Sequence, residues 1–198
     1  MAKKELLRIM KKVMSMTKNI EIEFKTGLTP EKYHELLRRF KLENNIFKQI
    51  NHYFDTDNYD LNQQKIVLRI RQKSDSRYKV TLKSQSEHGA FESHVLLQPE
   101  QAKDMITHGF YTKDFFDDLD YFVTFKVSLD NYRVSTPYEG GTLFLDRCDY
   151  CNVTDYEVEY EVDDYHLGQK LFEKFLNEND IAQTPTRRKS ERAFMCRR

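Results

Sequence analysis

The sequence predicts an α+β single domain in which strand–turn–strand runs dominate and helices are inserted at a few points. Three observations predict it. Four segments, far apart in the chain, alternate charged with apolar residues at a period of two. Three intervening stretches carry apolar stripes at helical spacing. The length, 198 residues, suits one domain with room for a sizeable core.

Residues 1–18 read as an N-terminal extension ahead of a domain spanning 19–198. Leu6, Met10 and Val13 fall at helical spacing among lysines and Arg8, so a basic amphipathic helix able to touch an anionic surface is the competing reading. The first strand is Ile20-Glu21-Ile22-Glu23-Phe24-Lys25, with Glu21, Glu23 and Lys25 on one face. Thr29 then caps a helix whose first residue is Pro30 and whose stripe is Tyr33, Leu36, Leu37 and Phe40. Asp57-Asn58 marks a turn. Leu68-Arg69-Ile70-Arg71 places two arginines on one face, and Val80-Thr81-Leu82-Lys83 adds a lysine. Glu87-His88-Gly89 marks another turn. Pro99 opens a second helix with Ala102, Met105 and Ile106 on one side, and Gly109 stops it. A short third helix is expected from Asp114 to Asp120. Gly140-Gly141 sits between Tyr132-Arg133-Val134 and Thr142-Leu143-Phe144-Leu145-Asp146 as a hairpin turn. Tyr156-Glu157-Val158-Glu159-Tyr160-Glu161-Val162 carries three carboxylates on one face, and a last helix from about Asp164 to Asn179 turns Leu167, Leu171, Phe172, Phe175 and Leu176 inward.

Two arrangements satisfy these strands. The charged faces point to solvent around one apolar core, or they point inward into a closed barrel whose apolar outer faces lie under covering helices. In the second, Ile20, Ile22, Phe24, Leu68 and Ile70 supply the outer face. The mix of charges suits it: paired glutamates match a hard divalent cation, and paired arginines match phosphate oxygens.

The ordered set resembles the CYTH domains, or triphosphate tunnel metalloenzymes, in their small bacterial single-domain branch. It comprises Glu21-x-Glu23-x-Lys25, Asn51-His52-Tyr53-Phe54-Asp55-Thr56, Leu68-Arg69-Ile70-Arg71, Val80-Thr81-Leu82-Lys83, Arg133, Leu145-Asp146, Tyr156-Glu157-Val158-Glu159 and Lys189. The resemblance implies a closed eight-stranded antiparallel β-barrel with covering helices. It also implies metal-dependent hydrolysis of the terminal phosphoanhydride of inorganic triphosphate or a small organic triphosphate. The alternatives are cyclisation of ATP, as in class IV-type adenylate cyclases, and a non-catalytic module binding polyphosphate or nucleotide. By the same resemblance, Glu21, Glu23, Asp146, Glu157 and Glu159 hold Mg²⁺ or Mn²⁺, with Glu161 extending the row. Lys25, Arg69, Arg71, Lys83, Arg133 and Lys189 bind phosphates, and Lys25 and Glu159 are the catalytic pair. Lys79 competes with Lys83, and Arg192 adds a contact. Glu92 matches an inward glutamate of the family, but Ala90 stands where an arginine is usual.

Composition sets further bounds. With 32 basic and 32 acidic residues the formal net charge is zero, so no bulk positive field argues for a nucleic-acid partner. The 14 phenylalanines and 12 tyrosines are read as packing rather than as stacking platforms for bases. No apolar run reaches the length of a membrane span, and no secretory h-region is visible. Cys148, Cys151 and Cys196 make neither a disulfide framework nor a zinc site, so reduced thiols in a cytoplasmic protein are expected, as a monomer or homodimer.

Overall fold

The computed structural model describes residues 17–86 and 89–196, so most of the expected N-terminal extension and the centre of the Glu87-His88-Gly89 turn lie outside the described residues. The described residues form nine strands: β1 (Thr17–Leu28), β2 (Phe47–Asp55), β3 (Ile66–Ser74), β4 (Arg77–Ser86), β5 (Gly89–Leu97), β6 (Phe110–Tyr111), β7 (Phe122–Tyr138), β8 (Gly141–Tyr150) and β9 (Val153–Val162). Among the described residues five α-helices accompany them: α1 (Pro30–Arg39), α2 (Asp60–Gln63), α3 (Pro99–His108), α4 (Tyr165–Glu178) and α5 (Lys189–Met195).

Antiparallel pairing runs in the order β2-β3-β4-β5-β1-β9-β8-β7 and closes through β7–β2, an eight-stranded barrel with β6 outside on β7. Strand β1 changes neighbour midway. It pairs with β5 as far as Glu21 and with β9 from Ile22 onward. The β7–β8 hairpin turns through Glu139-Gly140, whose φ values of 44° and 80° are the left-handed pair that a two-residue turn requires.

The outer faces are apolar and covered. Val134, Leu143, Leu145, Val158 and Tyr160 of β7–β9 form one core with Tyr33, Leu36 and Leu37 of α1 and Phe172, Phe175 and Leu176 of α4. Leu68, Ile70 and Val80 form a second with Leu61 of α2 and Ala102 and Met105 of α3. The caps act as their residue types dictate: Thr29 accepts a hydrogen bond from the Lys32 N–H at 3.2 Å, and Asp164 accepts one from Leu167 N–H at 2.7 Å. Gly109 ends α3 at φ 79°, where an added Cβ would meet the Val123 carbonyl at 2.4 Å.

Four expectations need correction. Asp114–Asp120 is not an α-helix: a 3₁₀ turn at Thr112–Asp114 leads into a loop. The Thr112 hydroxyl fastens both of its ends, donating to Leu119 C=O and accepting from Tyr121 N–H. Leu167 is 57% exposed, because the face of α4 on the barrel runs Gly168, Phe172, Phe175, Leu176, and Leu167 lies about 100° off that line. Ile20 is 63% exposed rather than under a helix. Finally, Cys151 in the β8–β9 turn and Cys196 at the end of α5 form a disulfide with Cα atoms 6.0 Å apart, within normal reach, so only Cys148 is a free thiol. Cys148 is buried, and burial pushes its thiol up.

Candidate active site

Alternation along the strands turns the charged faces into the barrel, around a cavity of about 690 Å³. β1 contributes Glu21, Glu23 and Lys25. β3 contributes Arg69, Arg71 and Lys73, and β4 contributes Lys79 and Lys83. Glu92 and His94 come from β5, Arg133 from β7, and Glu159 and Glu161 from β9. By strand order β3 stands across the barrel from β9, so most free cations face most carboxylates across the cavity.

The carboxylates form two groups of different character. Oxygens of Glu21, Glu23 and Glu161 lie within 4.8 Å of one another, half-buried. Glu23 and Glu161 are direct cross-strand partners, a like-charge pair that is unfavourable without a cation. Burial, then the charge of Glu21, pushes Glu161 up to about 8. Glu21 is itself raised by burial but ends below its ordinary value because the Lys83 ammonium contacts it. Lys25 lies 3.3 Å from Glu23.

The second group, Asp146, Glu157 and Glu159, is fully buried and already neutralised. Arg133 grips Asp146 with two hydrogen bonds, Nε to Oδ1 at 2.8 Å and Nη2 to Oδ2 at 2.5 Å, and also donates to Glu159. Lys189, the first residue of α5, places its ammonium 2.8 Å from Asp146 and against Glu157 and Glu159. Arg192, one turn on, donates to Glu157 at 2.5 Å and to Asp155 at 2.8 Å. Burial opposes the charge on Glu159, but Lys189, Arg133 and Lys25 outweigh it and hold the carboxyl well below the usual range.

The facing wall is under-neutralised. Arg69 and Lys79 share Glu92 at 3.8 and 3.5 Å. Arg71 and Lys73 make no ion pair among the described residues. Arg71 donates only to Asn51 Oδ1, at 2.9 Å. Burial, then the charges of Arg69 and Arg133, pushes Arg71 down to about 9, and burial with Arg71 and Arg133 pushes Lys73 down as well. Arg71 is held at a penalty that a bound anion would relieve, whereas Lys73 is exposed to solvent and carries less of one.

The structure thus brings Glu21 and Glu23 together, and Asp146, Glu157 and Glu159 together, but in separate clusters. Lys25, Arg69, Arg71, Lys83, Arg133 and Lys189 all line the cavity, but the Lys189 ammonium is already held against Asp146, Glu157 and Glu159. Lys79 and Lys83 both face inward, so the choice between them dissolves. Sequence reasoning passed over Lys73, which continues the period of Arg69 and Arg71, and undervalued Glu161, which continues that of Glu157 and Glu159. Helix α5 carried no such signal.

A CYTH domain model matches residues 19–194. YjbK of Bacillus subtilis (strain 168), provisionally named a triphosphatase, is 36% identical over 191 residues, spanning 90% of this chain and 96% of its own. Among solved structures, a Bacillus halodurans protein provisionally named an adenylate cyclase gives a TM-score of 0.82 at 31% identity, covering 89% of this chain and 98% of that one. HpAC1 from Hippeastrum, a provisional adenylyl cyclase described as having a dominant triphosphatase activity, gives 0.73 at 23% identity, covering 89% and 95%.

Proposed function

We propose that this chain, which belongs to the CYTH domain family, is a metal-dependent triphosphatase that cleaves the terminal phosphoanhydride of inorganic triphosphate or a small organic triphosphate. The observation that carries the reading is the division of charge inside one cavity. A half-buried carboxylate cluster on β1 and β9 opens onto the same space as under-neutralised cations on β3.

The residues fit a hard divalent cation such as Mg²⁺ or Mn²⁺. Glu21, Glu23 and Glu161 offer oxygen donors only, and the Glu23–Glu161 pair is unfavourable as it stands. We assign the metal to this cluster. Asp146, Glu157 and Glu159, expected from the sequence as ligands, act in this reading as the acceptors that hold Arg133 and Lys189 in place. A bound metal supplies charge neutralisation between neighbouring phosphoryl oxygens.

The remaining work falls to side chains already in position. Arg69 and Arg71 present guanidinium forks to phosphoryl oxygens, and Lys73 and Lys79 extend the cationic wall. Lys25 is the cross-strand partner of Glu159 and lines the cavity beside Glu23. A phosphoryl group leaving its chain spreads charge over its oxygens, and this fixed cation set stabilises that charge without reorganising. Glu159, firmly ionised by three cations, orients Lys25 and Arg133 and is a poor general base.

The test is phosphate release from inorganic triphosphate, thiamine triphosphate, ATP and long polyphosphate, each with Mg²⁺ and with Mn²⁺. Release from the short triphosphates is expected. Silence across the panel refutes the proposal, and cyclic AMP formed from ATP replaces it with the cyclase reading.

A further inference from the structure

The assignment above leaves the attacking water unheld, and the wall between the two arginines offers a partner for it. Strand β2 turns Gln49, Asn51 and Tyr53 inward. Gln49 lines the cavity and is 1% exposed, yet neither Oε1 nor Nε2 has a hydrogen-bond partner among the described residues. A buried primary amide with both ends unmade is destabilising and uncommon in native proteins. Its neighbours place it. Asn131 on β7 is its direct cross-strand partner, with Arg133 diagonally beyond. Asn51, two residues along β2, holds Arg71 of β3 through Oδ1. Gln49 therefore sits between Arg71 and Arg133.

Phosphoryl oxygens only accept hydrogen bonds, so a wall built solely for them needs donors alone. An amide adds an acceptor, and water is the reactant that must both be held by its hydrogen and be aimed by its oxygen. We infer that Gln49 positions the attacking water: Oε1 accepts an O–H of the water while Nε2 donates to an oxygen of the terminal phosphoryl group held by Arg71 and Arg133. The water oxygen bonds to the terminal phosphorus and the bridging P–O bond breaks. The two water protons end on the released orthophosphate and diphosphate, and the amide is unchanged. This role rests on the triphosphatase reading.

The variant is Gln49→Met, close in volume and without hydrogen bonds. With inorganic triphosphate and Mg²⁺, kcat should fall about 10²-fold, the range of a lost proton-handling contact, while KM stays within about threefold. The rise in melting temperature on adding triphosphate and metal should persist, and the ligand-free melting temperature should hold or increase, because an unpaired buried amide is removed. An unchanged kcat overturns the inference. So does a raised KM at preserved kcat, which makes Gln49 a phosphate contact with no hold on the water, and so does a ligand-free melting temperature lowered by several degrees, which makes it structural. A wild-type protein that releases no phosphate overturns the triphosphatase reading itself; an active wild type with an equally active Gln49→Met overturns only the role of Gln49.

Discussion

Replacing Lys189 by methionine separates a structural cation from a substrate contact, because the two roles predict opposite signs. The Lys189 ammonium lies 2.8 Å from Asp146 and against Glu157 and Glu159, all four groups buried. Arg133, Lys189 and Arg192 together balance the three carboxylates. Removing one cation at nearly constant volume leaves a buried carboxylate uncompensated, which costs about 3–5 kcal/mol. For 198 residues, a melting entropy of about 2.1 cal/mol/K per residue converts this to a drop of about 7–12 °C. The loss should depend on pH. Burial pushes Glu157 up even with Lys189 present. With the lysine gone, the folded state takes up a proton there more readily than the unfolded chain does. Protonation then favours folding, so the variant's deficit shrinks as pH falls from about 8 to about 5. Differential scanning calorimetry of both proteins at the two pH values, without metal or phosphate, measures this. A deficit under about 2 °C at the higher pH, or one equal at both, refutes the arrangement. A variant more stable than wild type would mean that Lys189 instead joins the repelling cations of the cavity and waits for phosphate.

Three further outcomes are expected. Glu161→Gln relieves the Glu23–Glu161 repulsion, so the ligand-free protein should melt no lower than wild type while metal-dependent phosphate release falls at least about tenfold; release within twofold of wild type would exclude Glu161 from the metal cluster. Triphosphate at a hundred times its dissociation constant stabilises the native state by about 2.7 kcal/mol, and Arg71→Ala should remove most of that melting shift, whereas a full shift in the variant would show that Arg71 does not touch the anion. Reducing the Cys151–Cys196 disulfide, which closes a 45-residue separation, should cost about 4 kcal/mol in the chain-entropy account; calorimetry with and without a dithiol reductant would contradict this if the two curves coincide.

The barrel was legible because its strands alternate in two strong chemistries at once. Leu68-Arg69-Ile70-Arg71 and Val158-Glu159-Tyr160-Glu161 each declare an apolar outer face and a charged inner one, and only a closed sheet under helices uses both. The helix stripes of α1 and α3 and the Gly140 turn were equally local and equally readable. What escaped was decided between distant residues. Lys189 has the same sequence character whether it meets phosphate or Glu157, and only the docking of α5 selects one. Cys196 finds Cys151 for the same reason, since the sequence does not reveal which turn α5 approaches. The failure at Leu167 is subtler: the smallest residue in that turn, Gly168, occupies the contact, because Val162 and Phe24 come too near for any side chain.

The exchange of partners along β1 has a kinetic meaning. Strands β2 to β5 form a meander of neighbouring hairpins that can assemble from local contacts, but β1 finds its second neighbour only when β9, some 140 residues downstream, is available. Glu21 stands on one side of that junction and Glu161 on the other side of the closure. An emerging or half-folded chain can therefore display every arginine of β3 and still have no place for a divalent ion. With the metal assigned to Glu21, Glu23 and Glu161, affinity arrives with the β1–β9 pairing, so the ion acts as a late arbiter of folding, binding only chains whose last strand has joined the first.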